Sequence, residues 1–406
     1  MGRVAGHDEQ VESPGMERSR AYLDHNATAP LRPEAERALI DALKLAGNPS
    51  SIHAEGRTAR GVMERARESV ASLVGAKPAN VVFSSGGTEA AALALQPGFR
   101  RAKGGLPADL LLCGAGEHPC VLAGHGFAPE AVELIPLTSE GVVDLGWLAQ
   151  RLGAAQAERR RALVSVQLAN NETGVIQPVA DVARLAHAHG ALVHSDAVQA
   201  VGRIPVDMAA LGVDALSLSA HKMGGPKGVG ALALAEDVVI GRPLIRGGGQ
   251  ERSRRAGTEN LPGIAGFGAA AQRAATGLEG EVQRLAGLRD QFEARLLELA
   301  PDAVIFGQGA NRLPNTSCVA VPGLIAQEAL ILLDLAGVSV SSGAACSSGR
   351  VTLSHVLGAM GVTDEWRACA LRFSLGWSSA EADLELALAG LEHALARRKQ
   401  DGRAAA

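Results

Sequence analysis

The chain has 406 residues, 47% of them hydrophobic, a formal charge of −4 at pH 7 and only 3% aromatic residues. It is long enough for a large core and two domains, lacks the basic excess of a nucleic-acid binder, and has too few rings to stack single-stranded bases. No run approaches about 18 uninterrupted apolar residues, which excludes a membrane-spanning helix and makes the cytoplasm the expected setting.

Residues 1–19 carry charge, glycine and proline without the apolar run of a signal peptide, and are expected to be a disordered leader. The polar segment Tyr22 to Pro30 follows, and Pro33 then opens a helical stretch to about Leu45, as first-turn prolines do. The spacing of Ala, Val, Met and Leu predicts an amphipathic helix from His53 to Val74. Val81 to Thr88, V-V-F-S-S-G-G-T, reads as a strand running into two glycines and a threonine at the head of an alanine-rich helix. Free backbone N–H groups at that helix start would hold a phosphate, with the Thr88 hydroxyl as a further donor.

Asp109 to Leu112 reads as a buried strand before Glu117-His118-Pro119, and Ala162 to Ala169 as another before the turn Asn170 to Gly174. A helix over Pro178 to Gly190 and a strand from Ala191 to the acid Asp196 complete a crossover, so the sheet is expected to be mainly parallel. Asp214 to Ser219 alternates as a further strand and breaks at Lys222 into a glycine-rich loop. Asp196 and Lys222 therefore stand at strand ends, where α/β folds place their chemistry. An amine for a Schiff base, a carboxylate for a pyridinium nitrogen and a phosphate loop are the three protein groups that pyridoxal phosphate needs.

From Gly263 to Leu299 the pattern is one long helical stretch, read as a bridge into a second domain. Strand-like runs at Ala303 to Gly307, Thr316 to Val321 and Val338 to Ser342, with helices at about Ala326 to Leu335 and Ser379 to Ala396, predict a small α+β unit. The five cysteines are odd in number and lack C-x-x-C spacing, which argues against a disulfide framework and against a metal site. Cys113 and Cys318 fall in apolar runs as small buried hydrophobes. Cys346, in S-S-G-A-A-C-S-S-G, has only small neighbours and is expected on an exposed, mobile loop where a thiolate can form.

Taken together, Y-L-D-H-N-A-T-A-P (22–30), G-N-P-S-S-I-H (47–53), S-S-G-G-T-E (84–89), N-N-E-T-G-V-I-Q-P (170–178), S-D-A-V-Q (195–199), S-A-H-K (219–222), G-G-G-Q-E-R-S-R-R-A-G-T (247–258), the Cys346 motif and L-R-F-S-L-G (371–376) resemble the cysteine desulfurases of the NifS/IscS type, in the class V aminotransferase group. The match runs from about Tyr22 to about Leu395. It implies the α/β architecture of pyridoxal phosphate fold type I. A large domain over 33–260 would hold a mainly parallel, seven-stranded sheet flanked by helices. A smaller α+β domain over 261–406 would carry the cysteine loop, with residues 20–32 joined to it.

The resemblance also implies roles. Lys222 would hold the cofactor and move the substrate α-proton, Asp196 would keep the ring nitrogen protonated, and His118 would stack on the ring as general acid and base. Asn171 and Gln199 would serve the phenolic oxygen. Gly87, Thr88, Ser219 and His221 would bind the phosphate, with Thr258 arriving from the other subunit of a homodimer. Asn48 and Arg372 would hold the substrate carboxylate, Arg372 through two parallel N–H bonds. L-cysteine would become L-alanine as the Cys346 thiolate takes its sulfur as a persulfide, passed on to an acceptor such as an iron–sulfur scaffold protein.

The long stretch from Cys346 to His355 fits the NifS/IscS branch rather than the SufS type. Ala90 to Ala92, Gly224 and the residues after Cys346 depart from the family pattern, and the last flank the segment that would meet the acceptor. Another class V enzyme, an aminotransferase or a selenocysteine lyase, is the alternative, although an aminotransferase has no use for a glycine-flanked Cys346. A sulfur carrier without turnover could lose Lys222 and Asp196, and this chain has both.

Overall fold

The computed structural model describes residues 20–342 and 353–404, so the leader expected over 1–19 and the Cys346 motif from Gly343 onward lie outside the described residues. Seven strands form the central sheet in the order Val81–Ser84, Gly230–Leu234, Ala215–Ser219, Leu192–Asp196, Ala162–Ser165, Leu110–Gly114, Val132–Ile135. Gly230–Leu234 is antiparallel to both neighbours and every other pair is parallel. The expected α/β architecture, a mainly parallel sheet flanked by helices, is thus observed.

Parallel strands covered on both faces read as continuous apolar runs. Leu110–Gly114, Ala162–Ser165 and Leu192–Asp196 are buried at every residue. Side chains alternate between two cores. Leu110, Leu112, Val164, Val193, Leu216 and Leu218 face one, with Phe267 and Val70 from helices Leu261–Thr276 and Ala54–Leu73. Leu111, Cys113, Leu163, Leu192 and Ala215 face the other, with Ala90 and Leu93 of helix Gly87–Ala94. Each large side chain so buried contributes about 1.5–3 kcal/mol.

The helical stretch expected over Gly263 to Leu299 is two helices, Leu261–Thr276 and Leu278–Leu299, that meet at a non-helical Gly277. The first packs on the central sheet, whereas the second buries Leu285, Phe292 and Leu296 in a separate cluster with Leu371, Phe373 and Leu391. Around that cluster a four-stranded antiparallel sheet runs in the order Val304–Ile305, Thr316–Ala320, Ala370–Ser374, Ser341–Ser342. Val338 to Ser342, expected as one run, is two short strands with different partners. Val338–Ser339 pairs in parallel with Ala21–Tyr22, while Ser341–Ser342 pairs with Ala370–Ser374.

Helices Ala54–Leu73 and Leu261–Thr276 approach closely at Gly268, where an added Cβ would lie 2.5 Å from Ala66 Cα. Gly268→Ala is expected to lower the apparent Tm through overpacking, at a cost of about 1–3 kcal/mol. Gly280→Ala, at a helical position where a Cβ meets nothing within 4 Å, should stabilise by up to about 1 kcal/mol. Thermal melts of the two variants beside the wild type check the contrast.

Candidate active site

Five parallel strands deliver the site at their carboxyl ends. Val81–Ser84 leads to Gly87 and Thr88, Leu110–Gly114 to His118, Ala162–Ser165 to Asn171, Leu192–Asp196 to its own last residue, and Ala215–Ser219 to His221 and Lys222. One cavity of about 230 Å³ is lined by Gly87, Thr88, His118, Asn171, Asp196, Gln199, Ser219, His221 and Lys222, all singled out in the sequence. Cys120, Gln167, Ala169 and Val198 complete its wall.

The Lys222 amine donates to the carbonyls of Asn26 at 2.5 Å and Ala27 at 2.8 Å. Burial, and then the positive charges of Arg203 and Arg372, bring its pKa down to about 7. Asp196 moves the other way, up to about 6, because burial outweighs the N–H of Val198, which its Oδ1 accepts at 2.9 Å, and the charge of Lys222. His118 keeps an accessible face where it lines the cavity. Burial of the rest of the ring, with Lys222 and His355 nearby, lowers it to about 4. Its Nδ1 accepts from Cys120 N at 3.1 Å, so the neutral ring carries its proton on Nε2. His221, bonded through Nδ1 to Thr28 Oγ1 at 3.1 Å, is also lowered to about 4, by burial first and then by Lys222.

Four expected residues are placed apart from this wall or lie outside the description. Thr258 is exposed and lines a second cavity of about 150 Å³ with Ser84, Ser85 and Gly257. Asn48 is on an exposed turn where its Oδ1 accepts from Ser50 N at 2.8 Å. Arg372 is buried, paired with Asp24 at 2.8 Å and donating to the Asn171 carbonyl at 3.0 Å, while its Nε has no partner among the described residues. Cys346 lies outside the described residues.

Sequence reasoning did not single out Asn26, Asp24, Cys120 or Arg203. Asn26 and Asp24 fall inside Y-L-D-H-N-A-T-A-P, whose string of polar groups before a proline was itself a signal. Arg203, four residues after Gln199, carried none, because a lone arginine in a turn is ordinarily a solvated one.

The donor set fits pyridoxal phosphate. An amine, a buried carboxylate, three carboxamides and a helix start share one cavity. No side chain caps helix Gly87–Ala94, so its first N–H groups are available to an anion. A Cβ at Gly87 would come within 2.8 Å of Val198 Cγ2, so the cradle requires glycine there.

A strand-edge site of this kind defines a pyridoxal phosphate enzyme of the α/β type. The family model for aminotransferase class-V matches residues 21–386. Over 374 residues, 89% of this chain and 92% of the relative, the chain is 45% identical to a cysteine desulfurase of Cereibacter sphaeroides. It is 40% identical to the cysteine desulfurase IscS of Dictyoglomus turgidum, covering 91% of this chain and 93% of the relative. The X-ray structure of a NifS-like protein from Rickettsia africae superposes with a TM-score of 0.83 at 33% identity, covering 93% of this chain and 99% of that one. The chain belongs to the class V aminotransferase family, in its cysteine desulfurase group of the NifS/IscS type, and is pyridoxal phosphate dependent.

Only a neutral amine can bond to the cofactor's aldehyde carbon. With Lys222 titrating at about 7 rather than 10.5, cofactor uptake by the cofactor-free protein should accelerate between about pH 6 and about pH 8 and then level off. Absorbance of the bound cofactor follows this directly. A rate still climbing at about pH 10 would mean that the lysine keeps its ordinary pKa.

Proposed function

We propose that the protein draws sulfur from L-cysteine, releases L-alanine and leaves the sulfur as a persulfide on Cys346 for transfer to an acceptor. The observation that carries this reading is the meeting of Lys222 and Asp196 in one cavity with phosphate and oxygen donors, in a chain whose relatives are cysteine desulfurases. Bound pyridoxal phosphate supplies an aldehyde carbon that captures the substrate amine and a ring that draws electrons from the adjacent bonds.

The protein's side chains then have these tasks. Gly87, Thr88, Ser219 and His221 hold the phosphate, joined by the partner subunit's Thr258. Asp196, a carboxylate at the pH of the reaction, holds a proton on the ring nitrogen. Asn171 and Gln199 donate N–H groups to the phenolic oxygen without adding charge. Arg372 and Asn48 hold the substrate carboxylate. Lys222, neutral above about pH 7, takes the α-proton. His118 presents a neutral ring that donates through Nε2.

The Cys346 thiolate attacks the substrate sulfur and an S–S bond forms. The substrate Cβ–S bond breaks with its electron pair left on the carbon side. A proton is added at Cβ, L-alanine leaves, and the displaced sulfur remains on Cys346 as a persulfide. The reading extends to a homodimer, an iron–sulfur scaffold as acceptor and a cytoplasmic setting, each supported by the family resemblance.

A single-turnover experiment with L-cysteine tests it. The wild type should form alanine together with a persulfide on Cys346, and Cys346→Ala should bind substrate, seen as a change in the cofactor spectrum, and make neither. Alanine released by Cys346→Ala at the wild-type rate would remove Cys346 from the reaction. Arg372→Lys keeps the charge and loses the planar fork, and it is expected to raise KM for L-cysteine by roughly ten-fold or more with cofactor content unchanged.

A further inference from the structure

Arg203 is 6% exposed and spends its hydrogen bonds on neutral oxygens. Its Nη1 donates to the Gln199 carbonyl at 2.9 Å and also to Gln199 Oε1. Its Nη2 reaches the carbonyls of His25 at 3.2 Å and of Lys222 at 3.4 Å. Arg67 and Arg372 are buried to a similar degree and each has a carboxylate, from Glu251 and Asp24, whereas the buried Arg32 lies over the ring of Trp377 instead. Arg203 has no carboxylate among the described residues. A buried cation without an anion is costly, and it persists where an anionic group completes it.

Gln199 lines the Lys222 cavity. Its Oε1 is taken by Arg203 and its Nε2 donates to the Asn26 carbonyl at 3.0 Å, which leaves one N–H unspent. The guanidinium therefore decides which way the carboxamide faces, oxygen toward Arg203 and nitrogen away. It also polarises that amide as a donor.

We propose that Arg203 is a positioning residue for the cofactor: it orients Gln199 so that the free N–H serves the phenolic oxygen, and its unpaired charge is completed by the negative charge on that oxygen. The proposal rests on the assignment of Gln199 to the phenolic oxygen made above. Through its bond to the Lys222 carbonyl, the same charge stands close to the lysine amine. Arg203 and Arg372 lower the pKa of that amine, Asp196 and Asp24 oppose them, and His118 and His221, both lowered to about 4, are neutral near pH 7.

The test is the titration of cofactor-free protein with pyridoxal phosphate across pH. Arg203→Gln keeps N–H donors without charge, Arg203→Met removes both, and Arg203→Lys keeps the charge. The glutamine and methionine variants are expected to bind the cofactor about ten-fold more weakly and to show an uptake midpoint raised by roughly half to one pH unit. Arg203→Lys should keep the wild-type midpoint. Wild-type affinity and midpoint in Arg203→Gln, or in Arg203→Met where the glutamine variant does not fold, would overturn the proposal. Equal shifts in the lysine and glutamine variants would do the same, because they would reduce Arg203 to a packing role. Gln199→Ala separates the underlying assignment: an unchanged cofactor affinity and absorption maximum would show that Gln199 does not serve the phenolic oxygen.

Discussion

Three central strands are tied together by a buried histidine, and the places of Asn171, Asp196, His221 and Lys222 along the sheet edge depend on that register. His194 Nδ1 meets Ser165 Oγ at 2.9 Å and His194 Nε2 meets Ser217 Oγ at 2.7 Å, so one ring spans Ala162–Ser165, Leu192–Asp196 and Ala215–Ser219. Burial lowers its pKa to about 3, which leaves one nitrogen to donate and the other to accept. The parallel ladder sets Ser165 beside His194 and Asp196 beside Ser217. A slip of one residue would displace Asp196 by about 3.3 Å and turn it to the opposite face. Apolar strands slide past one another at little cost in contacts, and a polar tie between three of them does not.

On that edge the protein gathers cationic groups that an anionic ligand complements. Burial, and then Arg203 and Arg372, depress Lys222, while burial raises Asp196. Burial first, and then Lys222, keeps both His118 and His221 neutral. Such a cavity favours a ring that brings a phosphate and a phenolate to the cations and N–H groups gathered there.

Much of the fold was legible in local patterns. The apolar strand ending in Asp196, the alternating one ending in Ser219, and the glycines before an alanine-rich helix marked strand ends and a helix start whose positions the structure bears out. Other features left no local trace. Gly230–Leu234 is as apolar as its neighbours, so its reversed direction could not be read from composition. The break at Gly277 was hidden because glycines occur throughout both flanking helices, and only the two separate cores show that the chain changes partner there. Asn26 reaches the site from Tyr22 to Pro30, far from the residues it bonds.

By itself, the sequence determined which chemical groups exist and their order: one lysine and one aspartate at strand ends, a glycine-threonine helix start, and a cysteine among small residues. These follow from short-range rules, since strand periodicity and helix-start chemistry act over a few residues. The tertiary structure decided that the lysine, the aspartate and the helix start share one cavity, that burial and then Arg203 and Arg372 lower the pKa of Lys222, and that Gln199 is oriented by a guanidinium. The reason is that pKa values and amide orientation depend on desolvation and on charges brought close by folding, and these are properties of the packed sheet edge that a linear string does not carry.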